Sequence, residues 1–173
     1  MTFNLKRILL VLSIILVSVA LDQWTKQLAV THLKHHTDIE YLNGMFKFTF
    51  AENTGAFLSL GANSSEGVRN VALKALPLIL LIVLFFYVLF SNTLNRWQII
   101  AFSFVLGGGI SNIYDRLLYH KVVDFMNIGI GELRSGIFNV ADMSIMAGLF
   151  LLLPFMFQSK KKEEPDPQEN GGA

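Results

Sequence analysis

The stretch GGGISNIYDRLLYHKVVDFMNIGIGELRSGIFNVADMS, residues 107–144, decides the fold. In it an apolar segment runs into Asn112, Asp115 and Arg116, a short loop carries Asp124, and a second apolar segment opens with Asn139 and Asp142. Ionisable side chains at the mouths of membrane helices are costly to keep there, so they mark functional sites by default. Segment, loop and segment leave Asp124 and Asp142 on one side of a membrane. Asp142 lies roughly 6 Å into its segment at 1.5 Å per residue, within reach of Asp124 through the intervening loop.

Two carboxylates about 3 Å apart do not both ionise easily, so such a pair holds one proton near neutrality. The ionised member can take a proton from water while the other protonates a carbonyl oxygen. That is peptide hydrolysis without a covalent intermediate. The structural alternative is that each aspartate caps a helix or pairs with Arg116 or Lys121. Their companions also suit a site. Asn112, Asp115 and Arg116 share one helical face with Gly108, and Asn139 and Asp142 share another.

Upstream, Lys6 and Arg7 precede an apolar run that begins at Ile8 and predicts a first span over about 8–28. Ser18-Val19-Ala20 resembles a signal-peptide cleavage site, but the segment continues through Trp24 to Val30, as a helix leaving at an interface does. Asp22 and Lys26, four apart, form a candidate supporting pair beside an anchoring Trp24. Residues 31–70 are polar with strand character. Ile39–Leu42, Asn43-Gly44 and Met45–Phe50 predict a hairpin with a tight turn. Phe46, Phe48 and Phe50 alternate with polar residues and give the sheet one apolar face, to rest on lipid or a lipid-bearing substrate or to pack on the helices. Glu52-Asn53-Thr54-Gly55-Ala56-Phe57 follows, with Gly55 permitting a tight turn, and then a Gly/Asn/Ser-rich link over 61–67. Further spans are predicted at about 71–90, 98–118 and 138–157. Gly107, Gly108 and Gly109 allow close helix approach. The polar tail, 159–173, is expected to be disordered.

Composition agrees. The 173 residues are 53% apolar and only 16% charged, with a mean hydropathy of +0.49, too oily for an ordinary soluble domain. A net charge of +1 gives no electrostatic footprint for nucleic acid. The absence of cysteine removes disulfides, thiol nucleophiles and thiolate metal sites. His32, His35 and His36 have i, i+3, i+4 spacing but no carboxylate motif beside them, so no metal or other cofactor is expected. Ser159–Lys162 spells S-x-x-K without companion motifs. Basic residues are denser in the short flanks holding the termini, which favours cytoplasmic termini and a site on the outer side.

Taken together, the motifs resemble the bacterial lipoprotein signal peptidases (signal peptidase II), a family of membrane aspartic peptidases. The matching pieces are Asp22-Gln23-Trp24-Thr25-Lys26, Asn53-Thr54-Gly55-Ala56-Phe57, Gly108–Arg116, Val123-Asp124-Phe125 and Phe138-Asn139-Val140-Ala141-Asp142. They follow the family's order from first span to fourth. The resemblance implies a polytopic membrane protein of four transmembrane α-helices with an outer β-cradle and a short outer helix, in one domain over 1–158. It implies an endopeptidase of the bacterial inner membrane that cleaves diacylglyceryl-modified prolipoproteins before the lipidated cysteine. Asp124 and Asp142 match the catalytic pair; Asn53, Gly55, Asn112, Arg116 and Asn139 fall in motifs lining the site, with Asp22, Lys26 and Asp115 in support. Globomycin-type inhibitors are expected to bind. The chain departs from many relatives between Phe125 and Ile137, where Gly131-Glu132-Leu133-Arg134-Ser135-Gly136 replaces a more aromatic stretch. Two rival readings are a small proton-coupled carrier, which predicts flux dependent on membrane potential, and a non-catalytic scaffold indifferent to loss of either aspartate.

Overall fold

The computed structural model describes residues 4–55 and 65–157. The Ala56-Phe57 end of the loop motif, most of the 61–67 link and the 159–173 tail lie outside the described residues.

Helix α1 (Leu5–His32) starts where the Asn4 side chain accepts from the Arg7 backbone N–H. Strands β1 (Ile39–Tyr41) and β2 (Phe46–Asn53) follow. A short helix α2 (Glu66–Asn70) passes through one π-helical turn (Val71–Ala75) into α3 (Leu76–Phe90). Helix α4 (Arg96–Leu118) leads to strands β3 (Val122–Ile130) and β4 (Leu133–Phe138), and α5 (Val140–Met156) closes the described chain. Both α4 and α5 begin with a reciprocal capping box, Asn95 with Gln98 and Asn139 with Asp142, which satisfies two orphan N–H groups at each start.

The sheet is an antiparallel meander in the order β1-β2-β3-β4, although α2, the π-helical turn, α3 and α4 intervene between β2 and β3. Tyr41 pairs with Phe46, so the β1–β2 connection has four residues rather than the tight two-residue turn expected. Leu42, Asn43 and Gly44 all take positive φ there. Strands β3 and β4 occupy the segment read from sequence as a loop, and the departing Gly131–Gly136 stretch supplies their turn and most of β4. Among the described residues the one short helix is α2, continuous with α3; residues 56–64 just before it lie outside the described residues. The three β2 phenylalanines pack inward on a core of Ala29, Leu33, Phe125 and Met126, so the packing alternative describes this face.

Helix α4 is the central post, touching α1, α3 and α5. Its three successive glycines each face a different neighbour. A Cβ on Gly107 would meet Ser18 of α1, one on Gly108 the Ala141 carbonyl of α5, and one on Gly109 Leu81 of α3. Val11, Val88, Ile99 and Leu106 form the helical core. Outward, the helices expose large apolar side chains, among them Leu16, Val83, Trp97 and Phe150, a surface suited to lipid and not to water. Of the four expected spans, Val71–Phe90 is long and apolar enough to cross a membrane on those grounds alone; α5 is apolar but shorter.

Candidate active site

The site lies where the sheet meets the helix ends. Ala51 pairs with Asp124 across β2 and β3, after a β-bulge between Phe48 and Ala51. Bulges re-aim side chains next to sites, and two residues on, the Asn53 amide donates to Asp124 Oδ2 at 2.9 Å. The same Asn53 accepts from the Gly55 backbone N–H. From the other side, Asn139 sits as the single residue between β4 and α5 and is fully buried. Its Nδ2 donates to Asp124 Oδ1 at 2.6 Å and its backbone N–H to Asp142 Oδ2 at 3.2 Å. One residue therefore holds both aspartates.

Asp142 is at the third position of α5, and it does cap that helix through its Oδ2. Its other oxygen faces the site and accepts from Asn112 Nδ2 at 2.9 Å. Capping and site membership coexist. Lys121 pairs instead with Glu52. Arg116 donates to the backbone carbonyls of Asn112 and Gly55, and its buried Nε has no partner among the described residues. Asn53, Asn112, Arg116, Asp124, Asn139 and Asp142 line one cavity of about 40 Å³ with Val122 and Ile137, room for a water or two. Burial pushes the Asp124 carboxyl up to about 6, and the nearby Asp142 charge adds to the rise against the lowering effect of the Asn53 and Asn139 amides.

Beneath the cavity is a buried ionic cluster. Lys26 Nζ lies 2.6 Å from both Asp22 Oδ2 and Asp115 Oδ2, and 2.9 Å from Asn112 Oδ1. Asp22 also accepts from Ser111 Oγ and from the Ala141 backbone N–H. Gln23, within the Asp22–Lys26 motif, donates to Ser111 Oγ and Asp115 Oδ1. Its place three residues before Lys26 puts both on one helical face, and that spacing could have found it. Ser111 had no comparable signal. His35 and His36 lie beyond the end of α1 at His32, so the histidine trio does not share a helical face.

From the cavity a groove of about 420 Å³ runs between α3 and the α4–α5 pair. Asp142, Asn112 and Arg116 lie at its polar end, and Leu73, Pro77, Leu80, Leu84 and Ile145 form its apolar walls. A polar cavity with two aspartates thus lies where an open sheet meets the ends of apolar-surfaced helices, in a membrane-associated fold. Two solved chains share this architecture, each described as a bacterial membrane enzyme structure obtained by the in meso method. One is 25% identical with a TM-score of 0.75, covering 90% of this chain and 92% of its own; the other is also 25% identical with a TM-score of 0.73. The family model for signal peptidase (SPase) II matches residues 14–158, and the chain belongs to that family. Lipoprotein signal peptidases of Borrelia duttonii (34% identical, 92% of this chain and 97% of the relative), Alteromonas mediterranea (31%, 88% and 84%) and Chlorobium phaeobacteroides (38%, 78% and 87%) are among its relatives. Its activity is hydrolytic, of the lipoprotein signal peptidase type.

Proposed function

We propose that the chain is an aspartic endopeptidase that removes the signal peptide from diacylglyceryl-modified prolipoproteins, cutting before the lipidated cysteine, with Asp124 and Asp142 as the catalytic pair. The observation that carries this reading is Asn139, which bonds both carboxylates at the edge of a water-sized cavity. The pair holds one proton at working pH. Water in the cavity loses a proton to the ionised aspartate as its oxygen adds to the scissile carbonyl, and the protonated aspartate serves the carbonyl oxygen. Asn53, Asn112 and Asn139 fix the carboxylates, while Arg116, which lines the same cavity, is placed to hold a substrate carbonyl. Gly55 contributes its backbone carbonyl to Arg116.

In this reading α1, the α2–α3 segment, α4 and α5 all cross the inner membrane. Helices of 28 and 23 residues (α1 and α4) exceed the ~20 residues a bilayer core requires, and α5 sits at the lower limit. Both termini are cytoplasmic, and residues 1–158 are one domain. The sheet and the site then face outward. A substrate tethered by its acyl chains reaches the groove between α3 and α4 by lateral diffusion, and a globomycin-type inhibitor competes there.

The test is conversion of a purified, lipid-modified precursor by wild type, Asp124→Asn and Asp142→Asn. Each substitution is expected to abolish cleavage while leaving folded, inserted protein. Retained cleavage in both would end the assignment.

A further inference from the structure

We propose that Lys26 is a positioning residue for this reaction: by fixing the orientation of the Asn112 amide, it makes Asp142 the base of the pair and leaves Asp124 the acid. The proposal rests on the two-aspartate reading above. Lys26 is only 4% exposed, and its ammonium has three protons and no lone pair. Asp22, Asp115 and the Asn112 amide oxygen supply three acceptors for them. An asparagine amide has two ends of similar shape and opposite hydrogen-bonding sense. Only the oxygen end can face an ammonium, so Lys26 turns the NH₂ of Asn112 toward Asp142 Oδ1. Asn139 Nδ2 also donates to that Asn112 oxygen, at 3.3 Å.

The two aspartates are consequently unequal. Asp142 receives an amide polarised by a cation, and its second oxygen caps the first turn of α5, where the positive helix end favours an anion. Asp124, on a strand, receives among the described residues the neutral Asn53 and Asn139 amides, with no helix end beside its carboxylate to favour an anion. The charged groups facing Lys26 are Asp22 of α1 and Asp115 of α4. Those acting on the pair are Arg116 of α4 along with Lys26 and Asp22. In the reaction Asp142 takes a proton from water as the water oxygen bonds to the scissile carbonyl carbon, and Asp124 gives its proton to the carbonyl oxygen. The C–N bond then breaks as Asp142 passes its proton to the leaving nitrogen, and Asp124 recovers its own as the carbonyl re-forms.

The test is the pH profile of kcat on a lipid-modified precursor for wild type, Lys26→Met, Lys26→Arg, Asn112→Ala and the Lys26→Met/Asn112→Ala double variant. In Lys26→Met the acid limb, which reports ionisation of the base, moves up by about one pH unit, the size of one lost charge-assisted hydrogen bond. kcat falls while KM stays within about twofold, and Lys26→Arg restores the limb. A merely structural lysine lowers the amount of active enzyme and leaves the limb in place. Asn112→Ala moves the limb in the same direction, and the double variant moves it no further. Asn112→Ala keeps the Lys26 ion pairs, so the proposal can still be overturned where Lys26→Met yields no folded protein. An unmoved limb in Asn112→Ala, or an additive shift in the double variant, overturns the proposal. Inactive aspartate variants with unmoved limbs in the others overturn the role of Lys26 alone. Active aspartate variants overturn the pair itself.

Discussion

Replacing Gly108 with alanine tests whether the pairing of α4 and α5 sets the site geometry. A Cβ there points at the Ala141 carbonyl oxygen, the residue before Asp142, and lies 2.9 Å from Ile145 Cγ1. Carbon atoms in good contact sit about 3.5–4.0 Å apart, so the facing turn of α5 must retreat by about 1 Å. The Ile145 side chain can rotate; the backbone carbonyl cannot, because it belongs to the helix. A shift of that size takes Asp142 away from Asn112 and from its place beside Asp124, and misplacement by about 1 Å costs on the order of 10²-fold in rate. Overpacking costs about 1–3 kcal/mol, a fall in Tm of roughly 3–10 °C at this chain length. Single-turnover cleavage of a lipid-modified precursor in micelles, with thermal unfolding of the same samples, reads both. Gly109→Ala meets only the Leu81 side chain, which can move, and Gly67→Ala meets nothing within 4 Å. The expected order of damage is Gly108 well above Gly109, with Gly67 at wild type. A Gly108→Ala enzyme of near wild-type rate, or one no worse than Gly109→Ala, refutes the reasoning.

Asn139→Ala removes the N-cap of α5 and the amide hydrogen bond to Asp124. At about 1 kcal/mol for the cap and about 1.5–3 for a bond to a carboxylate, a loss of roughly 3 kcal/mol in stability is expected alongside loss of cleavage; denaturant titration in micelles checks it, and an unchanged midpoint counts against the bridge. The Asp124 carboxyl, about 6 folded against an ordinary 3.8, binds its proton more tightly in the folded state. Its contribution is present below about pH 4 and is lost as pH rises through 6, amounting to about 3 kcal/mol for a two-unit shift. The stability difference between wild type and Asp124→Asn should therefore move against wild type across that window, and parallel Tm–pH curves would contradict it.

The helices were legible because their apolar runs are long and their ends carry charge: Val71–Phe90 matches its predicted bounds and α4 begins two residues earlier than expected. The β1–β2 hairpin was legible from its alternation. β3 was not. Its Val122–Asn127 run is nearly all buried, covered by β2, β4 and α1, so the period-2 signal that marks a half-exposed strand is missing. Without β3, Asp124 read as a loop residue, and its registration opposite Ala51, which brings Asn53 to it, was not derivable. The polar face of α4 could be drawn from spacing alone. What spacing could not give is the direction of each bond: that Lys26 reaches Asn112 as well as its two acids, and that Arg116 turns to backbone carbonyls.

The handover from β4 to α5 across Asn139 alone leaves no slack between the sheet and the helix that carries Asp142. Any displacement of β4 therefore passes straight to α5, and Asn139 ties Asp124 of β3 and Asp142 of α5 to that same junction. If the proposed substrate enters by the groove, the wall that yields is the one outside this junction, the π-turn segment and α3, which contribute Leu73, Pro77 and Leu80.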